Sequence, residues 1–274
     1  MSVFSGLDHI VREQEPLAPY TWFRLGGAAN YFAEPTNREE LIELVQIARQ
    51  QDLPVRMLGG GSAILVPDQG VPGLVIHLSA PAFGDVKDDQ SRLIAGAGAK
   101  LGNVISTAVR EGLAGLESLV GIPGTIAGAL KGNADSHGSS IGQWTDRVTV
   151  MTHDGEVKTR DRDQLRFSYR ESNLDDLAIL EAEFVLESGD ATELTRRMQK
   201  VWIVKRATLP TGQLRTGLVF KDPQGLNAAD LVEQVGLRGH EIGGAKVSDK
   251  NANYIETNPG ATCDGVKELI ELIQ

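Results

Sequence analysis

Gly121-Ile122-Pro123-Gly124-Thr125-Ile126-Ala127-Gly128-Ala129 follows a largely apolar run, 113–120, and carries no charge. Gly124 and Gly128 let a ligand approach the backbone, and the Thr125 hydroxyl can donate a hydrogen bond. The same stretch also reads as a bend between two buried segments. Upstream, Pro54 to Leu58 reads as a strand running into Gly59-Gly60-Gly61-Ser62. Three consecutive glycines allow torsions and close approaches that side chains block. Successive N–H groups in such a loop form a concavity for an anion, and a pyrophosphate fits that description. A plain tight turn is the alternative. Neither loop is a Walker A motif, because no Gly-Lys-Ser/Thr follows at the required spacing. Gly96-Ala97-Gly98 opens like the dinucleotide fingerprint, but Leu101 stands where its third glycine belongs. The phosphate-cradling reading therefore survives beside the plain turn, while the common nucleotide folds do not.

Working outward, short strands alternate with helices. Thr36-Asn37-Arg38-Glu39 reads as a capping box opening a helix through about Gln51, with Leu41, Leu44, Val45 and Ala48 as its apolar stripe. Strands are expected at Leu74 to Leu78 and Leu93 to Ala97, and a helix from Gly102 to Gly112. Arg147 to Arg160 reads as a hairpin turning at Asp154-Gly155. Ala178 to Leu186 alternates as a half-buried strand. Asp190 caps a long helix that ends in Lys205-Arg206. Ala228–Val235 is a short helix closed by Gly236, and Asp264–Ile273 is the last helix. The pattern is α+β in more than one unit, with the best boundary at the composition shift near Ser188–Asp190.

The charge balance narrows the function classes. The net charge of −10 repels polyanions, so nucleic acid is an unfavoured partner. No apolar run approaches the roughly 18 residues of a membrane span, and the first residues lack the features of a signal peptide. A single cysteine, Cys263, excludes an internal disulfide and fits a reducing cytoplasm. Cys263 is expected in a surface turn without a role. No His/Cys/carboxylate group has metal-ligand spacing, so no metal is expected.

Six ordered motifs carry a resemblance over nearly the whole chain. They are Thr21-Trp22-Phe23-Arg24-Leu25-Gly26-Gly27-Ala28-Ala29, Gly59–Ser62, Gly115–Thr125, Tyr169-Arg170-Glu171-Ser172, Gly217–Pro223, and Gly244–Ile255. Together they resemble the UDP-N-acetylenolpyruvoylglucosamine reductase (MurB) family, in its shorter type. The resemblance implies a flavin domain of the vanillyl-alcohol-oxidase (PCMH) type, in two FAD-binding subdomains, 1–78 and 79–188, and a MurB-type substrate-binding domain, 189–274. It implies non-covalent FAD, NADPH as hydride donor, and a sugar-nucleotide substrate reduced for peptidoglycan synthesis in the cytoplasm. A monomer is favoured, with neither nucleic acid nor membrane as partner.

Residue by residue, the resemblance places Arg24, Gly59, Gly60, Gly61, Ser62, Ala63, Gly121, Ile122, Pro123, Gly124, Thr125, Gly128 and Asn133 at the flavin. Tyr169, Lys205, Arg206, Lys221 and Asn253 fall at substrate positions, with Ser248 near them. Arg170 matches the family's arginine, which stabilises charge developing on the substrate carboxylate. The family's proton donor, a Ser or Cys, corresponds to Leu218, which has no transferable proton. The family also carries a Glu in a segment beyond the helix with which this chain stops at Gln274. Other departures are Ser62-Ala63 for Gly-Ser-Asn, and Gly132-Asn133-Ala134-Asp135-Ser136-His137-Gly138 for Met-Asn-Ala-Gly-Ala-Tyr-Gly. His137 thereby replaces an aromatic. The expected activity is NADPH-dependent reduction of the enolpyruvyl sugar nucleotide, slowed by Leu218. The alternative is a MurB-like protein that binds flavin or sugar nucleotide with weak or no turnover.

Overall fold

The computed structural model describes residues 3–89, 92–210 and 215–274. The chain forms two compact units that interleave along the sequence. The first comprises Met1–Glu13, Tyr31–Gly60 and Pro72–Ile203, and the second Gln14–Asn30, Gly61–Val71 and Val204–Gln274. Each unit has its own apolar cluster, one centred on Leu41, Leu93, Leu101 and Phe184, the other on Phe23, Val247, Ile255 and Leu269.

A four-stranded sheet opens the fold in the order β1-β2-β4-β3, with β1 at Val11–Pro16, β2 at Ala28–Ala33, β3 at Val55–Leu58 and β4 at Val71–His77. β3 and β4 run parallel, Val55 opposite Leu74 and Leu58 opposite His77. Helix α1 (Arg38–Gln50) buries the expected stripe of Leu41, Leu44, Val45 and Ala48. Its cap lies one residue later than the sequence spacing suggests. Asn37 accepts the Glu40 N–H at 2.9 Å, and the Glu40 carboxylate accepts from the Thr36 N–H at 2.6 Å. Asn is as good a cap as Thr, and each register has an acid three residues on, Glu39 for Thr36 and Glu40 for Asn37.

The second sheet of the first unit starts with β5 (Val86–Asp89) and β6 (Arg92–Gly96). Helix α2 (Leu101–Arg110) follows, with Leu101, Val104, Ile105 and Ala108 buried. Short elements come next: β7 (Leu113–Ala114), α3 (Ile126–Lys131), β8 (Asp135–Ser136), β9 (Ser139–Ser140) and α4 (Ile141–Trp144). β10 (Thr145–Met151) and β11 (Val157–Asp161) form the expected hairpin, with Gly155 at φ +82° in its turn. A two-residue hairpin, β12 (Phe167–Ser168) and β13 (Glu171–Ser172), precedes β14 (Ala178–Val185). β14 lies between β10 and β6 in the order β11-β10-β14-β6-β5, which explains its burial. β15 (Glu187–Ser188) pairs with β7, and Asp190 caps α5 (Ala191–Thr208) by accepting the Glu193 N–H at 2.8 Å.

In the second unit, β16 (Thr216–Leu218), α6 (Ala228–Gln234), β17 (Glu241–Ile242), β18 (Ala245–Val247), β19 (Tyr254–Thr257) and α7 (Cys263–Ile273) follow in sequence. The sheet order is β16-β19-β18-β17, antiparallel throughout. Val266 and Leu269 of α7 cluster with Ala245, Val247 and Ile255 of the sheet. Gly236, at φ +75°, ends α6 as expected.

Candidate functional site

In the first unit the two glycine loops touch. A Cβ on Gly60 would fall 2.7 Å from Gly124 Cα, and one on Gly59 would fall 2.9 Å from Thr125 Oγ1. The glycines therefore permit the close contact between the loops, backbone to backbone at Gly60 and Gly124 and backbone to side chain at Gly59 and Thr125. The loops make one joint surface and do not face each other across a gap. Gly124 sits at φ +111° and Gly121 at φ +82°, where a side chain is disfavoured. The N–H groups of Ile122, Ile126 and Ala127 go to the carbonyls of Leu119, Ala99 and Ala97. Among the described residues, those of Gly121, Gly124 and Thr125 meet no protein carbonyl. The Thr125 hydroxyl is likewise buried without a hydrogen-bond partner among them. A buried, unsatisfied hydroxyl costs about 1–3 kcal/mol, and a ligand oxygen would remove that cost. These residues fit a diphosphate-bearing cofactor.

The rest of the first glycine loop belongs to the second unit. Gly61, at φ +66°, has no room for a Cβ beside the Tyr20 carbonyl, and its own carbonyl accepts the Trp22 N–H at 2.9 Å. Ser62 is half-buried and Ala63 exposed. Arg24 adopts φ +56°, and its Nη1 donates to the Pro19 carbonyl. Thr21 locks that turn through its hydroxyl to the Leu25 carbonyl at 2.8 Å.

Arg170 occupies the tip of the β12–β13 hairpin, in the left-handed region at φ +56°. Non-glycine residues there cost about 1–3 kcal/mol and persist only where surroundings fix them. The surroundings are the segment 131–142. Asn133 is buried; its Nδ2 donates to the Ser168 carbonyl at 2.7 Å and its Oδ1 accepts the Gly142 N–H at 3.1 Å. Ser172 Oγ donates to the Lys131 carbonyl at 3.0 Å. Gly142 has no space for a Cβ against the Phe167 ring. Arg170 Nε lies 2.8 Å from Asp135 Oδ1, an ion pair whose N–H is not aligned as a hydrogen bond. The guanidinium carbon sits 5.7 Å from the centroid of the exposed Tyr169 ring. His137 is exposed, with Nδ1 2.7 Å from Ser136 Oγ.

In the second unit, Leu218 is 37% exposed on β16, opposite Tyr254. Buried Asn253 holds the segment just after β16, accepting the Phe220 N–H at 2.8 Å and donating to the Phe220 carbonyl at 3.0 Å. Lys221 and Arg206 are exposed, and Lys205 is half-buried. Lys250 Nζ donates to the Arg206 carbonyl at 3.1 Å, and the buried Ser248 Oγ accepts the Lys250 N–H at 3.2 Å.

Cys263 does not sit in a surface turn. It is fully buried at the start of α7, and burial pushes its thiol pKa up, which keeps it protonated and unreactive. Asp68, Cys263 and Asp264 place ligand-type atoms within 4.8 Å of one another, a cluster the local spacing does not reveal. The Asp68 oxygens accept the N–H groups of Cys263 at 3.0 Å and Asp264 at 3.2 Å, so this carboxylate serves the start of α7. Among the described residues, no helix is long and apolar enough to cross a membrane.

Comparison with known proteins agrees with this geometry. Residues 29–160 match the model of an FAD binding domain, and 209–274 that of the UDP-N-acetylenolpyruvoylglucosamine reductase C-terminal domain. The fold and the glycine surface thus define an α+β protein with an FAD-binding domain of the PCMH type and a reductase-type C-terminal domain. Similar proteins include UDP-N-acetylenolpyruvoylglucosamine reductases of Rhodopirellula baltica, 38% identical over 96% of this chain and 86% of the relative, and of a Synechococcus strain, 38% identical over 97% and 87%. The crystal structure of the Thermus caldophilus enzyme, MurB, superposes with a TM-score of 0.85 at 32% identity, covering 96% of this chain and 95% of that one. This chain belongs to the UDP-N-acetylenolpyruvoylglucosamine reductase family.

Proposed function

We propose that this protein reduces UDP-N-acetylglucosamine enolpyruvate to UDP-N-acetylmuramate, using NADPH and non-covalent FAD, as a cytoplasmic monomer serving peptidoglycan synthesis. The observation that carries the reading is the contact of Gly59-Gly60 with Gly124-Thr125 around a buried, unpartnered hydroxyl. Thr125 and the free loop amides hold the cofactor diphosphate, with Arg24, Ser62, Ala63, Ile122, Pro123, Gly128 and Asn133 completing that set. When bound, FAD supplies hydride transfer from NADPH to the vinyl carbon.

The chain's own residues carry the remaining work. Arg170 offers a fixed cation to the substrate carboxylate, where negative charge grows as the vinyl carbon is reduced. Tyr169, Lys205, Arg206, Lys221 and Asn253 bind the sugar nucleotide, the cations offsetting its diphosphate. These assignments go with a working division into 1–78, 79–188 and 189–274. A proton must also reach the carbon beside the carboxylate, and Leu218 brings none. A missing positioned donor costs about 10²–10⁴-fold in rate. Leu218 therefore favours a second reading, in which flavin binding persists and turnover is weak.

The visible spectrum of the purified, FAD-loaded protein tests both. NADPH added without oxygen should bleach the flavin band, and the enolpyruvyl substrate should restore it. Leu218→Ser should speed that recovery by at least about tenfold, a fraction of what a positioned donor provides. A protein that takes up no FAD removes both readings. Recovery at the same rate in the variant means that another group already delivers the proton.

A further inference from the structure

We propose that Asp135 is a positioning residue for Arg170, gripping the guanidinium at Nε so that its terminal N–H groups are the ones presented to the substrate carboxylate. The inference deepens the proposed function and rests on its reading of Arg170 as the substrate-facing cation. Three observations support it. The contact atoms, Arg170 Nε and Asp135 Oδ1, are both buried, while the two side chains are otherwise 35% and 31% exposed. The accessible part of the guanidinium side chain therefore lies away from Nε. The two residues also sit on segments fastened together by three independent devices: the paired bonds of Asn133, the Ser172–Lys131 bond, and the Gly142–Phe167 contact.

The third observation is backbone geometry. Six non-glycine residues among those described have positive φ, and Asn133, His137 and Arg170 are three of them. Strain of this kind concentrates where a conformation is over-determined by its surroundings. A surface ion pair between mobile side chains would need none of this fixing. A guanidinium has five donors in a rigid fork. Engaging one edge at Nε restricts rotation about the side chain and leaves the opposite edge for a second carboxylate.

A double-mutant cycle tests the idea. Asp135→Asn is made in the natural background and in Arg170→Lys, whose ammonium has no Nε edge to grip. With the FAD-loaded protein, Asp135→Asn should lower kcat of the substrate-dependent step by about ten- to a hundredfold, the range for a misplaced catalytic group. Bleaching by NADPH should keep its rate. In the Arg170→Lys background the same change should alter kcat less than about twofold, because the two positions act as one unit. Hydrogen exchange of the Arg170 Nε–H, followed by nitrogen-15 NMR, gives a readout independent of turnover. It should be slow in the natural protein and fast in Asp135→Asn. Equal kcat losses in both backgrounds, a gain in kcat, or unchanged Nε–H exchange would overturn the assignment. If the natural protein neither binds the enolpyruvyl substrate by calorimetry nor reoxidises with it, the reading of Arg170 fails first and the inference falls with it.

Discussion

Replacing Gly60 by alanine isolates the contact on which the proposed flavin binding rests. The added Cβ would lie 2.7 Å from Gly124 Cα and 3.3 Å from Gly124 C, against an ordinary contact starting at 3.4 Å. The first distance is short by about 0.7 Å, and the atoms it meets are backbone, which cannot rotate away. Gly124 is tied in place by the Leu101 N–H to its carbonyl at 3.0 Å, and its neighbour Ile126 donates to Ala99 at 2.9 Å. The loops must then separate, at about 1–3 kcal/mol, the usual cost of overpacking. If half or more of that appears in cofactor binding, the Kd for FAD rises about two- to a hundredfold, since 1.4 kcal/mol is a factor of ten. Titrating the cofactor-stripped protein with FAD by flavin fluorescence measures the Kd, and thermal melts measure stability. Gly102→Ala is the control: no heavy atom lies within 4 Å of its added Cβ, and it sits in α2. It should leave FAD affinity unchanged and gain about 0.5–1 kcal/mol from helix propensity. Natural FAD affinity and an unchanged melting temperature in Gly60→Ala would refute the reasoning.

Two further changes probe the framework. Asn133→Gly keeps a residue at ease with φ +42° while deleting the bonds to Ser168 and Gly142, so it should cost about 2–4 kcal/mol for two polar groups left unpaired, read as a lower denaturant midpoint; an unchanged midpoint would mean that those bonds do not hold the hairpin. For Glu34, burial raises the carboxyl pKa, but hydrogen bonds from Ser79, Arg12 and His77 outweigh it and leave the group below 4.5. A depressed folded value stabilises above the unfolded pKa and loses that contribution as pH falls through the folded value. Glu34→Gln should therefore be less stable than the natural protein by about 1 kcal/mol at neutral pH, and the gap should close under acid. A gap that persists at low pH would trace the effect to packing and not to charge.

What the sequence makes legible is what is local. The α1 stripe, the β10–β11 hairpin and the Asp190 cap each depend on residues within a few positions of one another, and each is found in the structure. The strands of the second unit were not legible, because two to four residues are too few to alternate. The interleaving of the units was hidden for a related reason. The Thr257 hydroxyl bonds the Phe23 carbonyl across 234 positions, and Asp68 meets Cys263 across 195. No window on the sequence spans such distances, and Cys263 was accordingly misplaced on the surface. At the candidate site the Tyr169-Arg170 motif was visible, and Asp135 was visible only as a departure. Its contact with Arg170 depends on a hairpin docking that no periodicity records.

The two halves of the proposed chemistry draw on different parts of the molecule. The proposed FAD surface is made by backbone, by glycines that admit no Cβ and by one hydroxyl, so few substitutions there are compatible with the loop contact. Proton delivery depends on a single side chain, and its position is structurally permissive. Leu218 contributes to the sheet through its main chain, paired with Tyr254, and its side chain is 37% exposed. A change there leaves the ladder intact. Leu218→Ser should cost no more than about 2 kcal/mol, the worth of a partly buried leucine side chain. The donor can therefore be lost or restored while fold and flavin binding stay as they are. A large stability loss in Leu218→Ser would show that the leucine is held by packing, and would tie the absence of a donor to the fold itself.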